Sequence, residues 1–216
     1  RSSTFEDVAT CQYKRVSDTC IEGYVQAKNV CGHGRYKLYF SLNTDQPFQL
    51  EEQKETTACL TFGKKVRAVE VRIGLSALSS ELASWECARW EKMDFAELKS
   101  QTGNQWEKQL SAIDVKGGKK DDKVIFYTSL YRAYLSPADV SSPDGAYLGT
   151  DGKVYISEDF RYYSNWSLWD TFRTKFPLLV LTEPARMRDM ATSLIHLYAT
   201  GKKDWSTGFE STPTVR

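Results

Sequence analysis

Histidine is scarce in this sequence, with only His33 and His196 present. No cysteine pair stands at CxxC spacing and no Cys/His set has finger-like spacing, which excludes a structural zinc site. Long apolar runs are missing too. The longest, Pro177 to Leu181 with its flanks, falls far short of the roughly 20 residues that cross a bilayer. An excess of either charge is also absent: Lys and Arg number 29 against 28 Asp and Glu, a formal net charge of +1. That balance removes the electrostatic case for nucleic acid or an acidic membrane surface as a partner. Gly117-Gly118 is followed by no Walker spacing, so it is read as a turn tip and not a phosphate loop. Asp139, Asp144, Asp151 and Asp159 lack the alternate positions and distal Glu of an EF-hand.

What is present is aromatic. Phe, Trp and Tyr make up 13% of the 216 residues, with six Trp and twelve Tyr, in a chain 41% hydrophobic and 26% charged, the profile of a globular protein. Such a content suits sugar binding and a large core equally. The densest stretch is Tyr162-Tyr-Ser-Asn-Trp-Ser-Leu-Trp-Asp-Thr-Phe-Arg-Thr-Lys-Phe-Pro-Leu-Leu179. If it is helical from about Ser167, with Ser164, Asn165 or Ser167 as N-cap, then Trp166, Trp169, Asp170 and Arg173 share one face. A Trp platform beside a carboxylate that accepts two hydroxyl hydrogen bonds is the chemistry of a carbohydrate subsite. The same spacing also describes a core helix carrying an Asp170/Arg173 ion pair.

From Thr10 to Arg72 the signals are strand-like: Cys20–Ala27, Tyr36–Leu42, Thr57–Phe62 and Val66–Ile73 are short, alternating or β-branched, and bounded by turn formers. They predict part of an antiparallel sandwich. Ser79 caps a helix bearing Leu82, Trp85, Ala88 and Arg89, and a second helix runs from about Asp94 to Ser111 with Phe95, Leu98, Trp106 and Leu110 apolar. Lys123 to Leu135 is an aromatic helix stopped by Ser136-Pro137. Pro143-Asp-Gly145 and Thr150-Asp-Gly152 predict two turns in the long loop that precedes the aromatic block. A last helix starts at Thr182-Glu-Pro184, carries a stripe of Met187, Met190, Ala191, Leu194, Ile195 and Tyr198, and ends at Gly201. The five cysteines, Cys11, Cys20, Cys31, Cys59 and Cys87, leave open a disulfide among the first four or buried free thiols. His33, in Cys31-Gly-His-Gly34, is expected in a surface turn, and the sequon Asn165-Trp-Ser167 is not expected to carry a glycan.

Read in order, Val71-Arg-Ile-Gly-Leu-Ser76, Trp106…Leu110…Ile113, Phe126-Tyr-Thr-Ser-Leu-Tyr-Arg-Ala-Tyr-Leu-Ser-Pro137, Asp144-Gly-Ala-Tyr-Leu-Gly149, the Trp166–Leu179 block and Asp189-Met190…Ser193-Leu194 resemble the glycosyl hydrolase family 92 α-mannosidases. The resemblance runs from about Val66 to Trp205. Two departures stand out: Trp166 replaces a usual Phe, and Lys175-Phe176 replaces Leu-His. The resemblance implies a multidomain α+β protein: residues 1–75 the end of an N-terminal antiparallel β-sandwich, 76–118 a helical connector, and 119–216 the first hairpins of an (α/α)₆ toroid. It further implies a secreted or vacuolar enzyme that removes terminal α-linked mannose from N-glycan or mannan-type glycans with inversion, assisted by calcium. Trp169 and Asp170 would contact the sugar and Arg173 would hold Asp170 ionised. The general acid, the general base and most calcium ligands would lie beyond this chain, which would then be inactive alone. The polar start Arg1-Ser-Ser-Thr, without a signal peptide, and the end Thr212-Pro-Thr-Val-Arg216 fit a sequence cut at both ends. The rival expectations are a non-catalytic carbohydrate-binding or scaffold protein, and another α/α-toroid glycosidase.

Overall fold

The computed structural model describes residues 8–28, 35–54, 57–164, 166 and 168–201; the side chains of residues 8, 9, 28, 35, 52–54, 169 and 170 lie outside that description. His33, Cys31, Asn165 and Ser167 fall outside it as well. The chain divides into two compact units, one up to Phe95 and one from Ala96.

The first unit is built on strands β1 (Val8–Arg15), β2 (Cys20–Lys28) and β3 (Arg35–Thr44), which form an antiparallel meander. A hairpin of β4 (Phe48–Lys54) and β5 (Thr57–Phe62) interrupts the chain before β6 (Val71–Ser76) pairs with β3. The sheet order is β1-β2-β3-β6. The expected strand Val66–Ile73 is corrected: pairing begins only at Val71, because Glu70 turns its amide to Asp45 Oδ1 and its carboxylate to Arg72. Register places Phe40, Leu42, Ile73 and Leu75 on one face and Ser41, Asn43, Gly74 and Ser76 on the other. Helix α1 (Ser80–Arg89) lies on the second face, capped as expected by Ser79, whose side chain accepts from the Leu82 amide at 3.2 Å. Gly74 sets the distance of closest approach, since a Cβ there would stand 1.9 Å from the Ala83 carbonyl oxygen and 2.6 Å from the Cys87 nitrogen. Cys11, Cys20, Cys59 and Cys87 are free thiols, so the described residues contain no disulfide. The Cys87 sulfur instead accepts from Asn43 Nδ2 at 3.0 Å.

The second unit contains α2 (Phe95–Leu110), α3 (Lys120–Tyr134), β7 (Ala138–Asp139), β8 (Ala146–Leu148), β9 (Val154–Ile156), β10 (Tyr163–Ser164), α4 (Leu168–Thr171), α5 (Lys175–Thr182) and α6 (Pro184–Thr200). Its core is Leu130 and Tyr134 of α3, Tyr163 of β10, Leu179 of α5 and Met190 of α6, all buried, with Trp106, Leu110, Ile113 and Phe126 packed around them. Tyr127 adds a polar lock, donating to the Ile113 carbonyl at 3.0 Å and accepting from the Val115 amide at 3.3 Å. Both turns expected in the long loop are present. Gly152 (φ +79°) turns the β8–β9 hairpin, and Gly145 (φ +83°) lies so close to the chain that a Cβ would stand 2.0 Å from the Ser157 carbonyl oxygen.

Two expectations about the helices are corrected. The apolar stripe of α6 is rotated: Met190, Ser193 and Leu197 are the buried positions, while Ala191, Ile195 and Tyr198 are exposed. The reason is that a polar residue, Ser193, occupies the inward ridge to serve β10. The aromatic block, moreover, is not one continuous helix. It is α4, a turn at 172–174, and α5.

Candidate functional site

The aromatic block is carried by a frame built from the long loop, β10 and α6. β10 pairs antiparallel with β7, Tyr163 opposite Asp139, and the Val140 amide donates to the Tyr162 carbonyl at 2.9 Å. Arg161 ties the loop to this strand. Its Nε meets Asp139 Oδ2 at 2.8 Å, and its two terminal nitrogens donate to the carbonyls of Ser142 and Ser141 at 2.9 and 2.8 Å. From the other side, Ser193 Oγ accepts the Tyr163 amide at 2.9 Å. Arg186 donates to the carbonyls of Tyr134 and Pro137, at 2.9 and 3.2 Å, and sits 5.5 Å from the centroid of the Tyr163 ring. Lys175, which donates to Ser136 Oγ at 3.2 Å, has its pKa pulled down by burial and then by the charge of Arg186.

Past β10 the chain delivers Trp166 half-buried against the core cluster, with its indole Nε1 buried and unpaired among the described residues. α4 then carries the backbone of Trp169 and Asp170, whose side chains lie outside the description, and closes on buried Thr171. Phe172 is exposed, and the Arg173 guanidinium lies 5.4 Å from its ring centroid. The single helix expected to carry Trp166, Trp169, Asp170 and Arg173 is interrupted: Trp166 precedes α4 and Arg173 follows it. The overlooked signal was Pro177. Inside a helix continuing from Leu168 its ring would break the ladder, whereas in the first turn of a new helix its missing N–H goes unneeded.

Beside the frame stands an aromatic column. Tyr147 stacks on Tyr162 at 4.1 Å and on Tyr155 at 5.8 Å, and its hydroxyl meets His196 Nδ1 at 3.0 Å. Burial, and then the adjacent Tyr147, push the Tyr162 phenol up to about 12. An open groove of about 440 Å³ runs past Asp144, Glu158, Asp159, Phe160, Arg161 and Asp189. Its carboxylates offer acceptors, which suits ligands rich in hydroxyl or other donor groups.

The loop aspartates do not fit a calcium cage. Asp139 accepts from the Ser141 amide and Arg161, Asp144 from the Ala146 amide, and Asp151 from the Lys153 amide and the Tyr155 hydroxyl. Among the described residues, no group of three or more His, Cys, Asp or Glu side chains is placed to hold a metal ion. Reading by pattern found the aromatic block but missed Arg161 and the acceptors on α6. The signal for the latter was an i, i+4 pair of polar residues, Asp189 and Ser193, inside an apolar helix.

The model of the glycosyl hydrolase family 92 catalytic domain matches residues 82–215. None of the curated protein sequences matches the chain. Among solved structures, the family GH92 α-mannosidase BT3965 of Bacteroides thetaiotaomicron superposes with a TM-score of 0.81 at 25% identity, over 94% of this chain and 30% of that one. The same enzyme in complex with mannoimidazole matches equally well, over 29% of its length. The GH92 family glycosyl hydrolase ccman5 gives a TM-score of 0.78 at 27% identity, over 91% of this chain and 28% of that one. The chain thus spans less than a third of the enzymes it matches. Its architecture is that of their multidomain α+β fold, the antiparallel sheet belonging to the N-terminal β-domain and the later helices to the start of the α/α toroid. With a catalytic-domain match over most of its length, the chain belongs to glycosyl hydrolase family 92.

Proposed function

We propose that the chain is the part of an inverting α-mannosidase that grips the terminal sugar. Trp169 stacks on the apolar face of mannose, Asp170 accepts hydrogen bonds from its hydroxyls, and Arg173 keeps that carboxylate ionised. The observation that carries this reading is the family match over residues 82–215, which includes the whole aromatic block and the frame that bears it. A structural neighbour held with mannoimidazole supports mannose as the recognised sugar. Inversion needs two carboxyl groups separated by room for a water. The general acid and base are proposed to lie outside this chain, as the family resemblance implies. Calcium is proposed likewise, on ligands mostly outside this chain. Glycans with terminal α-linked mannose, of N-glycan or mannan type, are the proposed substrates, in a secreted or vacuolar setting.

The test uses the 216-residue chain and its tryptophan fluorescence. Mannose is expected to change the emission saturably and glucose much less. Asp170→Ala should weaken that response while leaving the melting curve in place, and an aryl α-mannoside should not be hydrolysed. Equal responses to mannose and glucose, or an unaltered response in Asp170→Ala, would sink the assignment.

A further inference from the structure

β10 is two residues long and its partner β7 is no longer, too little pairing to hold a strand in place. Along the segment the amides alternate in direction. That of Tyr162 donates to Ser141 Oγ, at 2.6 Å, on the loop that carries β7. Those of Arg161 and Tyr163 point the opposite way, where another strand would be expected. They meet a helix instead: Arg161 N–H donates to Asp189 Oδ2 at 3.2 Å, and Tyr163 N–H to Ser193 Oγ at 2.9 Å. The distances match. Four helical residues advance about 6 Å, and two strand residues about 6.6 Å. Acceptors at i and i+4 on a helix can therefore stand in for the carbonyls of a neighbouring strand.

Ser193 is suited to this role. It is 0% exposed, and it donates its own proton to the Asp189 carbonyl at 2.7 Å, which leaves a lone pair for Tyr163. Arg186, on the same face of α6, lays its guanidinium against the Tyr163 ring. Packing alone gives no reason for a hydroxyl in the middle of the buried ridge between Met190 and Leu197. The strand edge gives one.

We infer that Asp189 and Ser193 are positioning residues, a helix-borne splint that fixes the backbone at 161–163 and so sets where the block beginning at Trp166 leaves the frame. The consequence for sugar binding rests on the proposed function; the splint itself does not. Two readouts on the 216-residue chain test it: amide hydrogen exchange at Arg161 and Tyr163, and the indole N–H resonance of Trp166. Ser193→Ala should speed exchange at Tyr163 by about tenfold, the worth of one hydrogen bond, and move the Trp166 resonance. Asp189→Ala should do the same at Arg161. Asp189→Asn, which keeps an accepting oxygen, should restore both. Leu130→Ala is the control, since it loosens the same core, in which Tyr163 is packed, while leaving both acceptors on α6 in place. The splint is overturned if both Ala variants leave Trp166 unmoved, if Leu130→Ala speeds exchange at Arg161 and Tyr163 as much as they do, or if Asp189→Asn rescues nothing. Mannose is then titrated into the same samples. Weaker binding in Ser193→Ala than in Leu130→Ala supports the link to the sugar site. A wild-type chain indifferent to mannose overturns the sugar reading and leaves the exchange and resonance data to decide the splint.

Discussion

Tyr162 lies face to face with Tyr147 and is 3% exposed, and its hydroxyl is held protonated up to about 12. In the unfolded chain the same phenol ionises near 10. Between these values the unfolded state has released a proton that the native state retains. The group's contribution to stability is therefore complete below about pH 10 and is lost as pH rises through 12. Alkaline denaturant titrations should show a decline of the order of 2 kcal/mol from this residue by pH 12. Tyr162→Phe should flatten that decline, and a variant with the wild-type slope would refute the assignment. In the first unit the decisive residue is Gly74. Any side chain there meets the backbone of α1, not a movable side-chain end, so the helix must lift. Gly74→Ala should destabilise the sheet unit by about 1–3 kcal/mol, read from urea unfolding followed at β6 and α1 amides.

Elements with a local signature were legible in the sequence. The Ser79 cap, the turns at Gly145 and Gly152, the stop at Ser136-Pro137 and the Pro184 start of α6 each depend on one or two residues whose chemistry acts within a turn. What was not legible depended on distant partners. The ridge of α6 could not be chosen by hydrophobicity, because Ser193 is buried only on account of the Tyr163 amide, 30 residues away in sequence. The break between α4 and α5 was readable from Pro177, but the helical spacing of the aromatic residues masked it. Arg186 is a further element-scale tie, joining the end of α3, the turn at Pro137 and the ring of Tyr163 from a position on α6. Arg186→Met keeps the length of the side chain and removes its donors. It should lower the stability of the helical unit by about 1–3 kcal/mol, since the Tyr134 and Pro137 carbonyls lose their donor. The same change should raise the Lys175 pKa, because a neighbouring like charge is removed. A Lys175 titration unchanged by Arg186→Met would show that the two cations do not feel each other.

The fold class and the family were visible in motifs laid out along the chain, since their order survives even where each motif is short. The closure of the molecule was not visible in them. Each unit buries a core of its own, yet both leave apolar side chains in contact with water. On β6, Val71, Ile73 and Leu75 are all about half exposed, a row along the face opposite α1. On the helices, Ile125 is 65%, Leu181 83% and Ile195 69% exposed. Scattered exposed residues of this kind are ordinary, but a row on a sheet edge is a surface for association. The chain is accordingly expected to self-associate at concentrations where a well-covered domain of its size stays monomeric. Because these side chains contribute little to either core, replacing them should alter association without altering folding. Ile73→Thr and Ile73→Lys keep the strand pattern, and Leu181→Glu and Ile195→Glu place charge on helix faces already in solvent. Sedimentation velocity should show the Ile73 variants shifting the distribution toward monomer, with melting points within a few degrees of the parent chain. The helix variants, on the other unit, report independently. If the charged variants associate as strongly as the parent chain, the exposed rows are not the surface involved, and the weak point lies in transient opening of one of the two units.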